Sequence, residues 1–357
     1  MFKSINIQTI GGILLLVMVL LAGCSGSEDD KQFTSIRQTV DTAAAKIAED
    51  IVQATFASAG ETRNFVELHK EEIKPVAGVN EILVADSILY AAGDNGLIAY
   101  NFTDQSTGSI GSGKQFKAMA FHDGNLYVGG DRLYIVKNNI LEPVELQFEG
   151  KVTSLLSDSF RLLIGTENGL IAKGINGEEK LLDDVSVNCM KFDKDGLWVG
   201  TNGQGLYRWN GDRFLKRYLI RDTTIFDYVY DIDFNHDHLF VGAATGFFVF
   251  DGGSWTQWTT EMGLPSDKVN TIDASAWMVY IGTDNGVISY FNNNLFPVKK
   301  LETTPADVVR LTNDKLIVAD QNGGVFIKRG YTIKTLIEPI ETEKEENEVF
   351  TQADENN

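Results

Sequence analysis

Seven times between residues 89 and 328 the chain repeats one short pattern: a pair of hydrophobic residues, a small residue, then a glycine-bearing turn. The copies are LYAAGDNGLIAY (89–100), LYVGGDRLYIV (126–136), LLIGTENGLIAK (162–173), LWVGTNGQGLYRW (197–209), LFVGAATGFFVF (239–250), VYIGTDNGVISY (279–290) and LIVADQNGGVFIK (316–328). Taking Ala92, Gly129, Gly165, Gly200, Gly242, Gly282 and Ala319 as equivalent gives spacings of 37, 36, 35, 42, 40 and 37 residues. Repetition at such a period signals supersecondary units that cannot bury their apolar faces alone and must stack on copies of themselves.

Each repeat reads as four short strands. An apolar first strand, such as Val269–Ile272, is followed by a polar turn and a second strand such as Leu197–Gly200. A glycine hairpin then leads to a third strand (Gly205–Trp209) and an outer fourth (Ser254–Trp258). Four strands every 35 to 42 residues describe a propeller blade. The expected fold is all-β: a seven-bladed β-propeller over 61–337, preceded by a short N-terminal helix. Six or eight blades, or an open β-solenoid, are the competing arrangements. The small residue of each second strand lets neighbouring blades approach near the crowded axis. Asn-Gly pairs at 95–96, 168–169, 285–286 and 322–323 are expected to supply the positive φ angles of tight hairpins. Phe65–Leu68 is available as an additional strand for the last blade, although seven quartets do not require it.

Outside the repeats the composition changes. Of the net charge of −19, the segment 338–357 carries eight acids against one lysine, too little apolar surface to order, and reads as a disordered acidic tail. The acid excess in the rest of the chain disfavours contact with phosphate backbones, so no nucleic-acid partner is expected. From Phe33 to Phe56, apolar residues at steps of three or four mark one face of a helix, placed at 33–60. It serves as a spacer or packs on the body, with an oligomerisation helix as the alternative.

At the N-terminus, Lys3 precedes an apolar run from Ile10 to Ala22, too short for a membrane span but suited to a signal peptide. The run ends in Leu21-Ala22-Gly23-Cys24, which resembles the lipobox of bacterial lipoproteins. That resemblance implies removal of residues 1–23, lipidation of Cys24 and an acidic linker over 24–32. An uncleaved signal anchor is the alternative. Ser25 after the cysteine and the cluster Glu28-Asp29-Asp30 resemble sorting to the outer membrane or cell surface rather than the inner membrane.

The repeats carry a second resemblance. DGLWVGTNGQGLYRWNGDRF (195–214), and MGLPSDKVNTID followed by VYIGTDNG within 258–286, are similar to the two-component regulator propeller repeat. In that family the pattern is a Gly-Leu-Pro-Ser turn, a Val-x-x-Ile strand, an Asp-Gly turn and Leu-Trp-x-Gly-Thr. The resemblance implies the propeller fold and a ligand- or protein-binding role, usually in the extracytoplasmic sensing region of a membrane kinase. No kinase or DNA-binding pattern is present in this sequence.

Little in the sequence points to catalysis. The four histidines are His69, His122, His236 and His238, and His236-Asp237-His238 reads as the first turn of a blade rather than a metal site. No Gly-x-Ser-x-Gly elbow, phosphate loop or dinucleotide fingerprint occurs, and Asp-Asn-Gly at 94–96 and 284–286 lacks the rest of a calcium loop. With only Cys24 and Cys189 there is no disulfide framework, and Cys189, in VNCMKF, is expected in the core.

The expectation is therefore a binding or scaffold module with no cofactor or metal. It would attach to the membrane through its lipid and meet a protein, small-molecule or glycan ligand. The candidate ligand residues are Arg221, Asp222, Phe226 and Tyr228, in a long connection that mixes charge with aromatics, and Tyr230 just after it. Two other functions compete: an accessory sensor serving a separate two-component kinase, and a propeller hydrolase or lyase with a metal at the channel mouth.

Overall fold

The computed structural model describes residues 78–337 except 148, 159, 195, 211–212, 218–227, 236–237, 313–314 and 330–331. The 33–60 helix, Cys24, the 338–357 tail and Phe65–Leu68 lie outside the described residues. What is described is seven four-stranded antiparallel sheets, the strands of each bonded in sequence order. The blades span 79–110, 116–143, 152–183, 187–217, 229–258, 269–297 and 308–337.

Innermost strands Val79–Ala85, Phe116–His122, Val152–Ser157, Val187–Asp193, Val229–Phe234, Val269–Ala274 and Val308–Thr312 each lie beside the next, and the last lies beside the first. Seven blades thus close into a ring. Every blade is complete from consecutive chain, so the ring needs no strand from outside 79–337. The first and last blades meet through one apolar cluster, including Ile82, Leu89, Ile98, Val308, Ile317 and Val325.

The second-strand glycines explain how close that stacking is. A β-carbon on Gly165 would lie 2.6 Å from a methyl of Val187, one on Gly200 2.5 Å from Val229, and one on Gly242 2.7 Å from Val269. In each case the first valine of one blade seats against the glycine of the blade before it. Burial is correspondingly complete: Val187, Val229 and Val269 are fully enclosed.

The Asn-Gly expectation needs correction. At 95–96, 168–169, 285–286 and 322–323 the glycine takes a positive φ but the asparagine does not. Three of these asparagines instead tie the hairpin to a neighbouring loop: Asn95 Oδ1 accepts from Gly113 N, and Asn168 and Asn285 donate to Glu149 O and Pro265 O. Two consecutive positive φ angles occur at Asn138-Asn139 and Asn292-Asn293, between third and fourth strands. There the turn twist matches that of the strands it joins.

Candidate functional site

An innermost strand has a sheet neighbour on one side only, so its other edge presents unpaired backbone groups to the axis. The chain satisfies part of this edge with side chains of the preceding blade. Asp231 accepts from Ile272 N (2.8 Å), Asp233 from Ala274 N (2.8 Å), Asp273 from Leu311 N (2.9 Å) and Thr271 Oγ1 from Val309 N (3.2 Å). At the start of the strands a second belt runs the same way. Asn80, Asn188 and Asn270 donate to Phe116 O (3.0 Å), Val229 O (3.0 Å) and Ala306 O (3.2 Å), and the Thr153 hydroxyl donates to Val187 O. These belts were missed in the sequence, although their signal, Val followed by Asn or Thr at the head of a first strand, recurs at 79–80, 152–153, 187–188 and 269–270.

The channel is two-sided in chemistry. At one equivalent strand position, blades 1 to 3 place Leu83, Ala120 and Leu156, whereas blades 4 to 7 place Lys191, Asp233, Asp273 and Arg310. Arg310 bonds Glu81 of blade 1 at 2.8 Å and approaches Asp231 at 3.9 Å, while Lys191 meets Asp233 at 2.9 Å. Together these groups line a cavity of about 600 Å³.

Burial governs their protonation. It pushes the Glu81 and Asp231 carboxyls above the usual range despite Arg310, and raises Asp273 to about 6 against the pull of Arg310 and the Leu311 N–H. For Arg310 burial acts the other way, and Glu81, Asp231 and Asp273 outweigh it, so the guanidinium stays charged. The acids of the channel are thus committed to backbone N–H groups and cations of the ring itself.

Above this cavity, where second-to-third strand hairpins and blade connections converge, the channel widens into a funnel of about 850 Å³. Asn80, Lys117, Asn188, Tyr230, Asn270 and Asp307 line both spaces and form the throat between them. Lysines alternate with acids around it: Lys117 with Asp94 (3.4 Å), Lys151 with Glu167 (3.4 Å) and Lys268 with Asp284 (3.1 Å). Lys268 also lies 5.9 Å from the centre of the Tyr230 ring. Burial raises Asp307 to about 6, Lys268 opposing and Asp284 adding to the rise. The funnel combines amide, ammonium, carboxylate and aromatic groups, the mixture that orients a polar ligand.

Of the expected ligand residues, Tyr230 stands in this throat. Tyr228 is 48% exposed and is held at the funnel end by a backbone bridge to Asn202. Arg221, Asp222 and Phe226 lie outside the described residues. His238 belongs to a turn at the opposite end, bonded to Asn235 and stacked on Phe240, and His236 and Asp237 are outside the described residues. His122 hydrogen-bonds Ser157 at 2.9 Å. Among the described residues no three His, Cys, Asp or Glu side chains converge as a metal-holding group. Cys189 is buried in a cluster with Trp198, Leu206 and Val229, and burial pushes its thiol well above the ordinary value.

A family model for the two component regulator propeller matches residues 181–203, from the outermost strand of blade 3 through the second strand of blade 4 into the hairpin after it. That segment is similar to one two-component regulator propeller repeat. The match overlaps the 195–214 stretch whose pattern it resembled. No curated protein matches the sequence. Among solved structures, the extracellular domain of the hybrid two component system BT3049 of B. thetaiotaomicron aligns with a TM-score of 0.58 at 13% identity, over 76% of this chain and 41% of that one. The WD40 β-propeller domain of Doa1 aligns at 0.55 and 14% identity, over 75% and 95%. YCF48 bound to D1 peptide aligns at 0.56 and 10% identity, over 74% and 99%. At these identities the likeness concerns the propeller fold.

Proposed function

We propose that this chain is a non-catalytic binding module, held by a lipid on Cys24 at the outer membrane or cell surface, that takes its ligand in the funnel. The observation that carries the reading is the throat formed by Asn80, Lys117, Asn188, Tyr230, Asn270 and Asp307, open to a space of about 850 Å³. Such a volume accommodates a small polar molecule, a short glycan or a peptide loop. The reading against catalysis rests on the channel carboxylates. Asp231, Asp233 and Asp273 each accept a backbone N–H of the next blade, which suits ring closure better than proton transfer or metal binding. Arg221, Asp222, Phe226 and Tyr228 belong to the connection entering blade 5 and would extend the recognition surface from Tyr230.

A second reading, an accessory sensor serving a separate two-component kinase, is favoured by the regulator-propeller repeat and by likeness to an extracellular domain of a hybrid two component system. Both readings put the ligand in the funnel. The test is a screen of glycans and peptides against the soluble body by calorimetry, repeated with Tyr230→Ala and Lys117→Ala. Ligands are expected to bind the parent and to lose at least about tenfold in affinity with either change. Equal binding by all three proteins would move the site elsewhere.

A further inference from the structure

The face opposite the funnel has its own chemistry. Antiparallel order puts the turns between first and second strands, and between third and fourth, at one end of every blade. Nine large hydrophobic side chains are exposed among the described residues, and six stand at this end: Ile140, Phe160, Ile175, Phe192, Trp277 and Phe291. Of the other three described, Tyr228 and Met262 lie at the funnel end and Phe296 within the outermost strand of blade 6.

Three of the six are turn tips with almost no protein around them: Phe160 at 81%, Ile175 at 99% and Trp277 at 81% exposure. Two of those turns are held by their own hydrogen bonds. Asp158 Oδ1 accepts from Phe160 N at 2.7 Å, and Ser275 Oγ accepts from Met278 N at 3.0 Å. The fold does not require apolar tips here: blades 1 and 2 join their first and second strands through Asp86-Ser87 and Asp123-Gly124, and blades 2 and 6 join their third and fourth through Asn138-Asn139 and Asn292-Asn293. Nor do these side chains stabilise the ring, since burial is what would make them do so.

We propose that this face rests on a lipid bilayer, with Phe160, Ile175 and Trp277 at the boundary between headgroups and acyl chains. The tips belong to blades 3 and 6, with polar turns between them. A protein hot spot is a contiguous, desolvated cluster, whereas a plane meets separated tips at once. Phe, Ile and Trp are suited to that boundary. The inference rests on the reading of Cys24 as the lipid site, which tethers the body to a membrane and raises its effective concentration there. The bound orientation turns the funnel away from the bilayer, toward soluble ligands.

The experiment uses residues 63–357, a compact unit that contains all seven complete blades, so no anchor contributes. Flotation with phosphatidylcholine vesicles, with and without dibrominated lipid, is compared for the parent, Trp277→Phe, and a triple variant Phe160→Ser, Ile175→Ser, Trp277→Ser. Circular dichroism confirms that all three fold. The parent is expected to float and to lose part of its fluorescence to bromine. The quenched component is expected to vanish in Trp277→Phe, and partition to fall at least about tenfold in the triple variant. A parent that does not float, or a triple variant that floats as well, would overturn the proposal. So would a parent dimer in sedimentation without vesicles that the triple variant abolishes, which would assign the face to a second copy. Palmitate labelling of the full chain and of Cys24→Ser reports separately on the anchor.

Discussion

Replacing Asp273 by asparagine should stabilise the protein at neutral pH but not in acid. The carboxyl titrates at about 6 in the folded ring against 3.8 for the ordinary side chain, chiefly because it is buried beside Asp233 and only partly compensated by Arg310 and the Leu311 N–H. A folded-state pKa raised above the unfolded value means that the native state holds the proton more tightly. Native stability is therefore lost as pH rises through about 6, and the full cost is present above it. A shift of about two units corresponds to roughly 3 kcal/mol, and partial solvent contact reduces the expected effect to about 1–2 kcal/mol. Asparagine removes the charge but keeps an oxygen to accept from Leu311 N, so the strand edge stays satisfied. Thermal melts by circular dichroism should show Asp273→Asn higher by about 2–8 °C at pH 7.5, with the difference shrinking as pH falls below about 6 and gone by about pH 3, below the 3.8 of the unfolded aspartate, where neither state is ionised. Asp273→Ala should gain less than asparagine at pH 7.5, because it leaves the Leu311 N–H facing the channel without an acceptor. No gain for asparagine at pH 7.5, or the same gain at both pH values, would refute the electrostatic account of this seam.

Arg310→Met removes the cation that joins blade 7 to Glu81 of blade 1, leaving the partly buried Glu81 and Asp231 without it. Urea unfolding should report a loss of about 1–3 kcal/mol, partly recovered by adding Glu81→Gln. Gly200→Ala should cost about 1–3 kcal/mol in the same assay, because its β-carbon would sit 2.5 Å from both Cys189 Sγ and Val229 Cγ1. Cys189 should resist iodoacetamide in the folded protein at pH 8 and react only as the ring unfolds, its thiol being buried and hard to ionise.

The sequence was most legible where local and global constraints coincide. Second-strand glycines recur because Gly129, Gly165, Gly200 and Gly242 each admit the first valine of the next blade, and Gly282 admits Ala306, so the repeat, the blade count and the tight axis are one signal. Asn-Gly pairs misled in detail, because an asparagine can serve a hairpin through its side chain as well as through φ, and Asn95, Asn168 and Asn285 do so. The funnel was less legible. Its throat is drawn from residues spread around the ring, 80, 117, 188, 230, 270 and 307, and no local pattern ties a lysine in blade 2 to a tyrosine in blade 5. The charged half of the channel was hidden for the same reason. Asp233, Asp273 and Arg310 look like ordinary solvated charges along the chain, and only ring closure shows that they satisfy strand edges and join the last blade to the first. Tyr230 was found from its position on the first strand after a long connection, which is where a throat residue must lie.

The central claim is that the channel carboxylates hold the ring together and the funnel binds a ligand without metal chemistry. Elemental analysis of the purified, lipid-free body tests it most directly. The account predicts no metal at stoichiometric level after gel filtration without chelator, whereas one equivalent of calcium or a transition metal would contradict it and turn attention to the carboxylates of the funnel.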